Sequence, residues 1–171
     1  MRKLLYQPVW MTLFTLLLVC LDQATKGLAV RFLQGREPYV IWDGVLELRY
    51  LENRGAAFGM LQGQRGLFLL IGVLVFAAVL YLFRHMSGDE RFLPIRLIAL
   101  CILAGAWGNM IDRLWKGYVV DFIYFSLIDF PIFNVADIYV SLSTAAMVIL
   151  ILFHYKDEEL NGLLVKKEKQ S

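Results

Sequence analysis

Residues 67–83, LFLLIGVLVFAAVLYLF, are apolar from end to end and carry no charged side chain. A helix of that length rises about 25 Å, close to the ~30 Å hydrocarbon layer of a bilayer. Working outward from it, three more apolar runs of similar length appear, at about 8–30, 93–113 and 136–155, with their charges near their ends. The chain of 171 residues is 59% hydrophobic, with a mean hydropathy of +0.61, too apolar for a soluble domain of this size. Four spans (about 8–30, 67–84, 93–113, 136–155) with short connections leave no room for a second domain, so residues 1–171 read as one integral membrane domain with a fraying, charged tail over about 157–171. Met1-Arg2-Lys3 followed by an apolar run has the look of a signal segment, but bulky Val19 precedes Cys20 and the apolar stretch continues to Val30, so an uncleaved first span is expected.

The net charge of +2 argues against a nucleic-acid partner. Cys20 and Cys101 fall inside apolar runs and read as free thiols. His85 and His154 stand at helix ends far apart in sequence, an arrangement that does not suggest a metal site.

Alternating spans put the loops 31–66 and 114–135 on one side and the termini with the loop 85–92 on the other. Lys and Arg number nine on the side of the termini and eight opposite, so the positive-inside rule favours cytoplasmic termini by a narrow margin. Within the first large loop, Val45 to Leu51 alternates, with Leu46, Leu48 and Tyr50 on one face and Glu47 and Arg49 on the other. That is the pattern of a half-buried strand, and Trp42-Asp43-Gly44 before it reads as a turn. Gly55 to Leu61 is small and apolar, suited to a short interfacial helix. In the second loop Tyr118 to Phe125 reads as a strand and Ser126 to Pro131 as a turn. The two loops together predict a small sheet on the membrane surface, although an aromatic belt that only anchors helices would account for many of the same rings.

Against this apolar background, polar residues gather at one end of the spans. Asp22 and Lys26, four apart, share a helix face, as a self-neutralising ion pair or as one wall of a site. Asn109, Asp112 and Arg113 share another face, where Arg113 is expected to grip Asp112 with a forked pair of hydrogen bonds. The nearby Gly105 and Gly108 permit close helix packing, so this cluster reads as support. Asn134 is a candidate N-cap that would put Asp137 at the third helical position, where the helix dipole favours a carboxylate. Asp121 lies among Val119, Val120, Phe122 and Ile123 with no cation adjacent in sequence. A carboxylate beside lipid costs several kcal/mol unless paired or solvated. If Asp121 and Asp137 meet, they cannot both ionise cheaply and share one proton, an acid and a base suited to amide hydrolysis.

Leu21-Asp22-Gln23 with Lys26, Asn53-Arg54-Gly55-Ala56-Ala57-Phe58, Gly108-Asn109 with Asp112-Arg113, Val119-Val120-Asp121-Phe122, and Phe133-Asn134 with Ala136-Asp137 occur in this order over about residues 20–140. In these stretches the chain resembles the lipoprotein signal peptidases (signal peptidase II). The resemblance implies an all-α membrane protein of the bacterial inner membrane, with four transmembrane helices, a small extracytoplasmic β-sheet, a short interfacial helix and cytoplasmic termini. It implies an aspartyl endopeptidase that cuts diacylglyceryl-modified prolipoproteins just before the lipidated cysteine. It implies Asp121 and Asp137 as the catalytic pair near the extracytoplasmic face. Asp22, Lys26, Asn53, Gly55, Asn109, Asp112, Arg113, Asn134 and Ala136 would line or brace the site. No cofactor is implied; the partners are prolipoprotein and membrane lipid, and the enzyme is expected to act as a monomer.

A surface site suits such a substrate, because its acyl chains stay in hydrocarbon while water reaches an unwound stretch of backbone. Asn53 and Asn134 are candidates to hydrogen-bond that backbone, and Phe58-Gly59-Met60 to clamp over it. Two other classes compete. A proton-coupled transporter would want acidic groups near the midplane and on both sides, whereas here they collect at one surface. A non-catalytic assembly protein would need no carboxylate pair.

Overall fold

The computed structural model describes residues 2–55, 61, 63–87 and 89–161. Helices α1 (Arg2–Leu33), α2 (Arg65–His85), α3 (Leu93–Trp115) and α4 (Val135–Ile149) form the bundle. Four segments, Val9–Leu33, Arg65–His85, Glu90–Trp115 and Val135–His154, are long and apolar enough to cross a membrane. α4 continues through a π-helical turn, Leu150–His154, and a further helix α5 covers Asp157–Asn161. Thus the start of the tail is helical rather than frayed. Its Glu159 carboxylate receives the Arg91 guanidinium at 2.9 Å, and Leu160 packs against the cluster of Met86, Phe92, Ile95 and Tyr155.

α3 is the axis of the bundle. Half of its most apolar window is buried, against 11% for α2 and α4, because α1, α2 and α4 all pack on it. Small residues allow the approach. A β-carbon on Gly105 would stand 2.5 Å from the Ala136 carbonyl oxygen of α4, and one on Gly108 would collide with the Asp22 carboxylate of α1. With no hydrophobic drive between helices in lipid, such close backbone contact and interhelical hydrogen bonds hold a membrane bundle together.

At one end of the bundle lies a three-stranded antiparallel sheet of β1 (Tyr39–Trp42), β2 (Leu46–Asn53) and β3 (Val119–Tyr124), in that order. The two large loops therefore do share one side. β2 lies where alternation predicts a strand and β3 within the stretch Tyr118 to Phe125 read as one, and the Trp42–Val45 turn closes with a 3.0 Å hydrogen bond, Gly44 taking the positive φ of +67°. β1 was not foreseen: all four of its residues are exposed, so it has no alternation to betray it. The sheet packs on α1 through Ala29, Leu33, Val120 and Phe122. Residues 56–60, which carry most of the expected interfacial helix and the Phe58 clamp, lie outside the described residues.

The other end is closed by the short α2–α3 connection. Asp89 caps the turn Glu90–Phe92 by accepting the Arg91 N–H at 2.9 Å, and Pro94 stands in the first turn of α3, where its missing N–H costs nothing. Buried Arg96 donates to the carbonyls of Ser87 and Asp89.

Candidate active site

The chain brings Asp121 and the start of α4 together by strand pairing. Two residues beyond Asp121, Ile123 exchanges hydrogen bonds with Phe133, 2.8 Å from the Ile123 N–H and 3.0 Å in the return direction. Asn134 follows at once and caps α4 in a reciprocal capping box: its side-chain oxygen accepts the Asp137 N–H at 3.0 Å, and Asp137 accepts the Asn134 N–H at 3.1 Å. This is the expected cap geometry. With its oxygen so committed, the Asn134 amide nitrogen points the other way, 2.6 Å from an Asp121 oxygen and 3.1 Å from the Asn109 side-chain oxygen. One asparagine therefore touches both aspartates.

The remaining carboxylate oxygens are held in the same fashion. Asn53, at the end of β2, donates to the second Asp121 oxygen at 2.8 Å, while its own oxygen accepts the Gly55 N–H at 2.9 Å. Asn109 donates to Asp137 at 2.8 Å. Its amide cannot turn around, because its oxygen accepts the Lys26 ammonium at 2.8 Å as well as Asn134. In this structure Asn53 and Asn134 thus spend donors on the carboxylate of Asp121, beyond any contact they make to a peptide.

Behind this layer lies a buried ionic cluster. Lys26 sits 2.8 Å from Asp22 and 3.2 Å from Asp112, all three side chains fully enclosed. Asp22 also accepts the Ala136 N–H at 2.9 Å, which pins the first turn of α4 to α1, and a Gln23 N–H at 3.1 Å. Asp112 takes Lys116 at 2.8 Å and the Val120 N–H at 3.2 Å, which fixes β3 one residue before Asp121. The Asp22–Lys26 pair is thus not a self-contained interfacial pair but one part of a cluster joining α1, α3, α4 and β3.

Arg113 departs from expectation. Its partner is not Asp112, whose oxygens are taken by two lysines; it donates instead to the Gly55 carbonyl at 3.1 Å and lies over the Phe68 ring at 4.3 Å. Residues i and i+1 of a helix point in different directions, which makes the forked pair geometrically poor. Two further contributors were not read from the sequence. Lys116 carried a signal, its i+4 spacing from Asp112; Phe68 of α2 had no local one.

Asp121, Asp137, Asn53, Gly55, Asn109 and Arg113 line one cavity of about 670 Å³, whose other walls include Phe125, Phe130, Pro131, Phe133 and Leu142. Asp22, Lys26, Asp112, Asn134 and Ala136 are fully buried and stand behind it. Asp121 has no ion-pair partner among the described residues. Burial, and next the nearby Asp137 charge, push its carboxyl up to about 7, against the opposing pull of the Asn53 and Asn134 hydrogen bonds and of Lys26. An acid that holds its proton near neutrality, with a second carboxylate on the same apolar-walled cavity, can move protons to and from a bound amide and water. Among the described residues no group of three or more His, Cys, Asp or Glu side chains is placed to hold a metal ion.

Comparison with known proteins gives a consistent picture. The family model described as signal peptidase (SPase) II matches residues 14–153. A lipoprotein signal peptidase of Streptococcus agalactiae is 37% identical over 163 residues, 95% of this chain and 98% of its own. One from Geobacillus kaustophilus is 41% identical over 145 residues, 84% of this chain and 93% of its own. A solved structure described as a bacterial membrane enzyme, obtained by the in meso method, superposes with a TM-score of 0.76 at 30% identity, covering 86% of this chain and 92% of that one.

Proposed function

The chain belongs to the signal peptidase II family of membrane peptidases, and from that premise we propose that it removes signal peptides from prolipoproteins with Asp121 and Asp137 as its catalytic pair. Residues 1–171 act as one multi-pass peptidase domain, with cytoplasmic termini and the sheet on the extracytoplasmic side. The scissile bond lies N-terminal to a diacylglyceryl-modified cysteine. One observation carries the reading: the two carboxylates face a single cavity and are bridged by Asn134, with no cation among the described residues in ion-pair contact with either.

The hydrogen-bond pattern supports a division of roles. Asp137 sits at the N-terminus of α4, where the helix dipole favours an anion, and accepts two N–H groups; Lys26 acts on it through Asn109. It is the base. Asp121, displaced toward neutrality by burial, is the acid. Asp137 removes a proton from water, whose oxygen bonds to the scissile carbonyl carbon while Asp121 gives its proton to the carbonyl oxygen. The tetrahedral adduct collapses as the C–N bond breaks. The proton held by Asp137 goes to the departing nitrogen, and the adduct hydroxyl returns its proton to Asp121. Asp22, Lys26, Asp112 and Ala136 hold the frame, Arg113 fixes Gly55 at the cavity rim, and the aromatic and apolar walls suit a lipid-modified peptide in contact with bilayer lipid. The enzyme acts as a monomer.

The test is cleavage by purified protein of a diacylglyceryl-modified prolipoprotein, followed by gel shift, beside the same precursor lacking the lipid. The modified precursor is cut and the unmodified one is not. Equal cleavage of both removes the lipid from the reading, and retained turnover in both Asp121→Asn and Asp137→Asn removes the acid pair. Phe58→Asp tests the expected clamp, which requires turnover to fall.

A further inference from the structure

A second cavity lies away from the carboxylates. α1 and α2 each pack on α3, and between them runs a cleft floored by α3. It encloses about 300 Å³ between Thr15 of α1, Phe76, Val79 and Phe83 of α2, and Leu103 and Trp107 of α3. Its walls are almost wholly apolar, the polar exceptions being Thr12, Thr15 and Trp107. The Thr15 hydroxyl and the Trp107 indole N–H are both buried and neither has a hydrogen-bond partner. Thr15 as a whole is 8% exposed. A buried, unpaired polar group costs roughly 1–3 kcal/mol, and two of them on one cavity call for a common partner.

Depth narrows the choice. Thr15 lies two helical turns from Asp22, about 10 Å farther along α1, so its end of the cavity sits well inside the hydrocarbon layer. There an ordinary phospholipid offers only methylene groups, its ester oxygens remaining at the interface. The volume holds roughly ten groups of the size of a water molecule, a length of chain rather than a headgroup. Trp107 can only donate, and Thr15 can donate or accept; an oxygen that accepts from the indole while bonding the hydroxyl satisfies both. We propose that this cleft is a lipid-facing binding site for a hydrocarbon chain bearing a hydroxyl or keto oxygen partway along its length, with the oxygen seated between Thr15 and Trp107. Nothing in this inference depends on the chemistry assigned to Asp121 and Asp137.

The test uses the full chain in lipid nanodiscs with Trp10, Trp42 and Trp115 replaced by Phe, so that Trp107 alone fluoresces. Dibromostearate quenches it, and a mid-chain hydroxystearate is compared with plain stearate as a displacing agent. Hydroxystearate is expected to restore the fluorescence at a concentration about five- to tenfold lower than stearate, the range of one net hydrogen bond. Thr15→Val is expected to abolish that preference while leaving the stearate curve in place. A retained stearate curve also shows that the variant is folded. Equal displacement by both acids, quenching that rises linearly without saturation, or a preference that survives Thr15→Val overturns the proposal.

Discussion

Two pairs of aspartates lie within the same end of this molecule and are treated in opposite ways. Asp22 and Asp112 share the ammonium of Lys26, Asp112 holds Lys116 as well, and both also accept backbone N–H groups. Asp121 and Asp137 face a cavity and are held by amides, with no ion pair to either among the described residues. Full neutralisation makes a carboxylate a structural tie; neutral donors fix its position and leave its proton affinity free to be set by burial and by the other acid. Sequence neighbours do not reveal the difference, since Asp112 precedes an arginine it does not bind.

The sharpest way to break the contrast is to exchange carboxylates for amides on each side of it. Asp121→Asn or Asp137→Asn is expected to lower the cleavage rate at least about a thousandfold with the melting temperature nearly kept, and a residual rate near that of the parent would erase the distinction. Lys26→Met should act in the reverse sense. It strands the enclosed Asp22 carboxylate and takes one of two lysines from Asp112, and is expected to cost about 3–5 kcal/mol of stability, read as a fall in melting temperature in detergent. Lys116→Met, whose side chain is 34% exposed beside the same Asp112, is expected to cost about 1 kcal/mol or less; equal losses for the two lysines would refute the assignment of Lys26 as the keystone.

The acid pair also sharpens the comparison through pH. Asp121 is raised to about 7, so its useful protonated form persists through mildly acid pH and is lost as pH rises through that value. The cleavage rate is expected to fall on the alkaline side with a midpoint near 7. Because the native state binds this proton more tightly than the unfolded chain, Asp121 also lowers stability progressively as pH rises from the ordinary carboxylate range to about 7. Asn53→Ala removes a hydrogen bond that favours the anion, so the alkaline limb moves to higher pH; a limb that moves down would reverse the acid and base roles. The smallest effect is expected far from the site. Arg91→Ala breaks an exposed pair with Glu159 and is expected to change stability by under about 1 kcal/mol and the cleavage rate not measurably.

The four spans were legible because apolar length is a one-dimensional property, and the cap at Asn134 because it is a local one. β2 showed itself by alternation. What escaped depends on distant chain. Asp112 pairs with Lys26, on another helix, which no spacing along α3 could suggest, and with Lys116, whose i+4 spacing was a signal passed over in favour of Arg113. β1 has no buried face, so its residues carry no period; its pairing is dictated by β2. Helical structure at Asp157–Asn161 comes from packing against the α2–α3 connection, whereas charge content alone reads as tail. Within the site, sequence singled out the two acids by their lack of neighbouring cations, but not that Asn134 would join them, which follows from Phe133 pairing with Ile123.

That junction has a mechanical corollary. The amide that starts α4 is the same one that orients both acids, so fraying of the first helical turn and loss of catalytic geometry are a single event. A tight inhibitor seated between the acids will therefore act as a clip on the helix start, and amide hydrogen exchange at Asp137 and Ile138 will slow in step with occupancy.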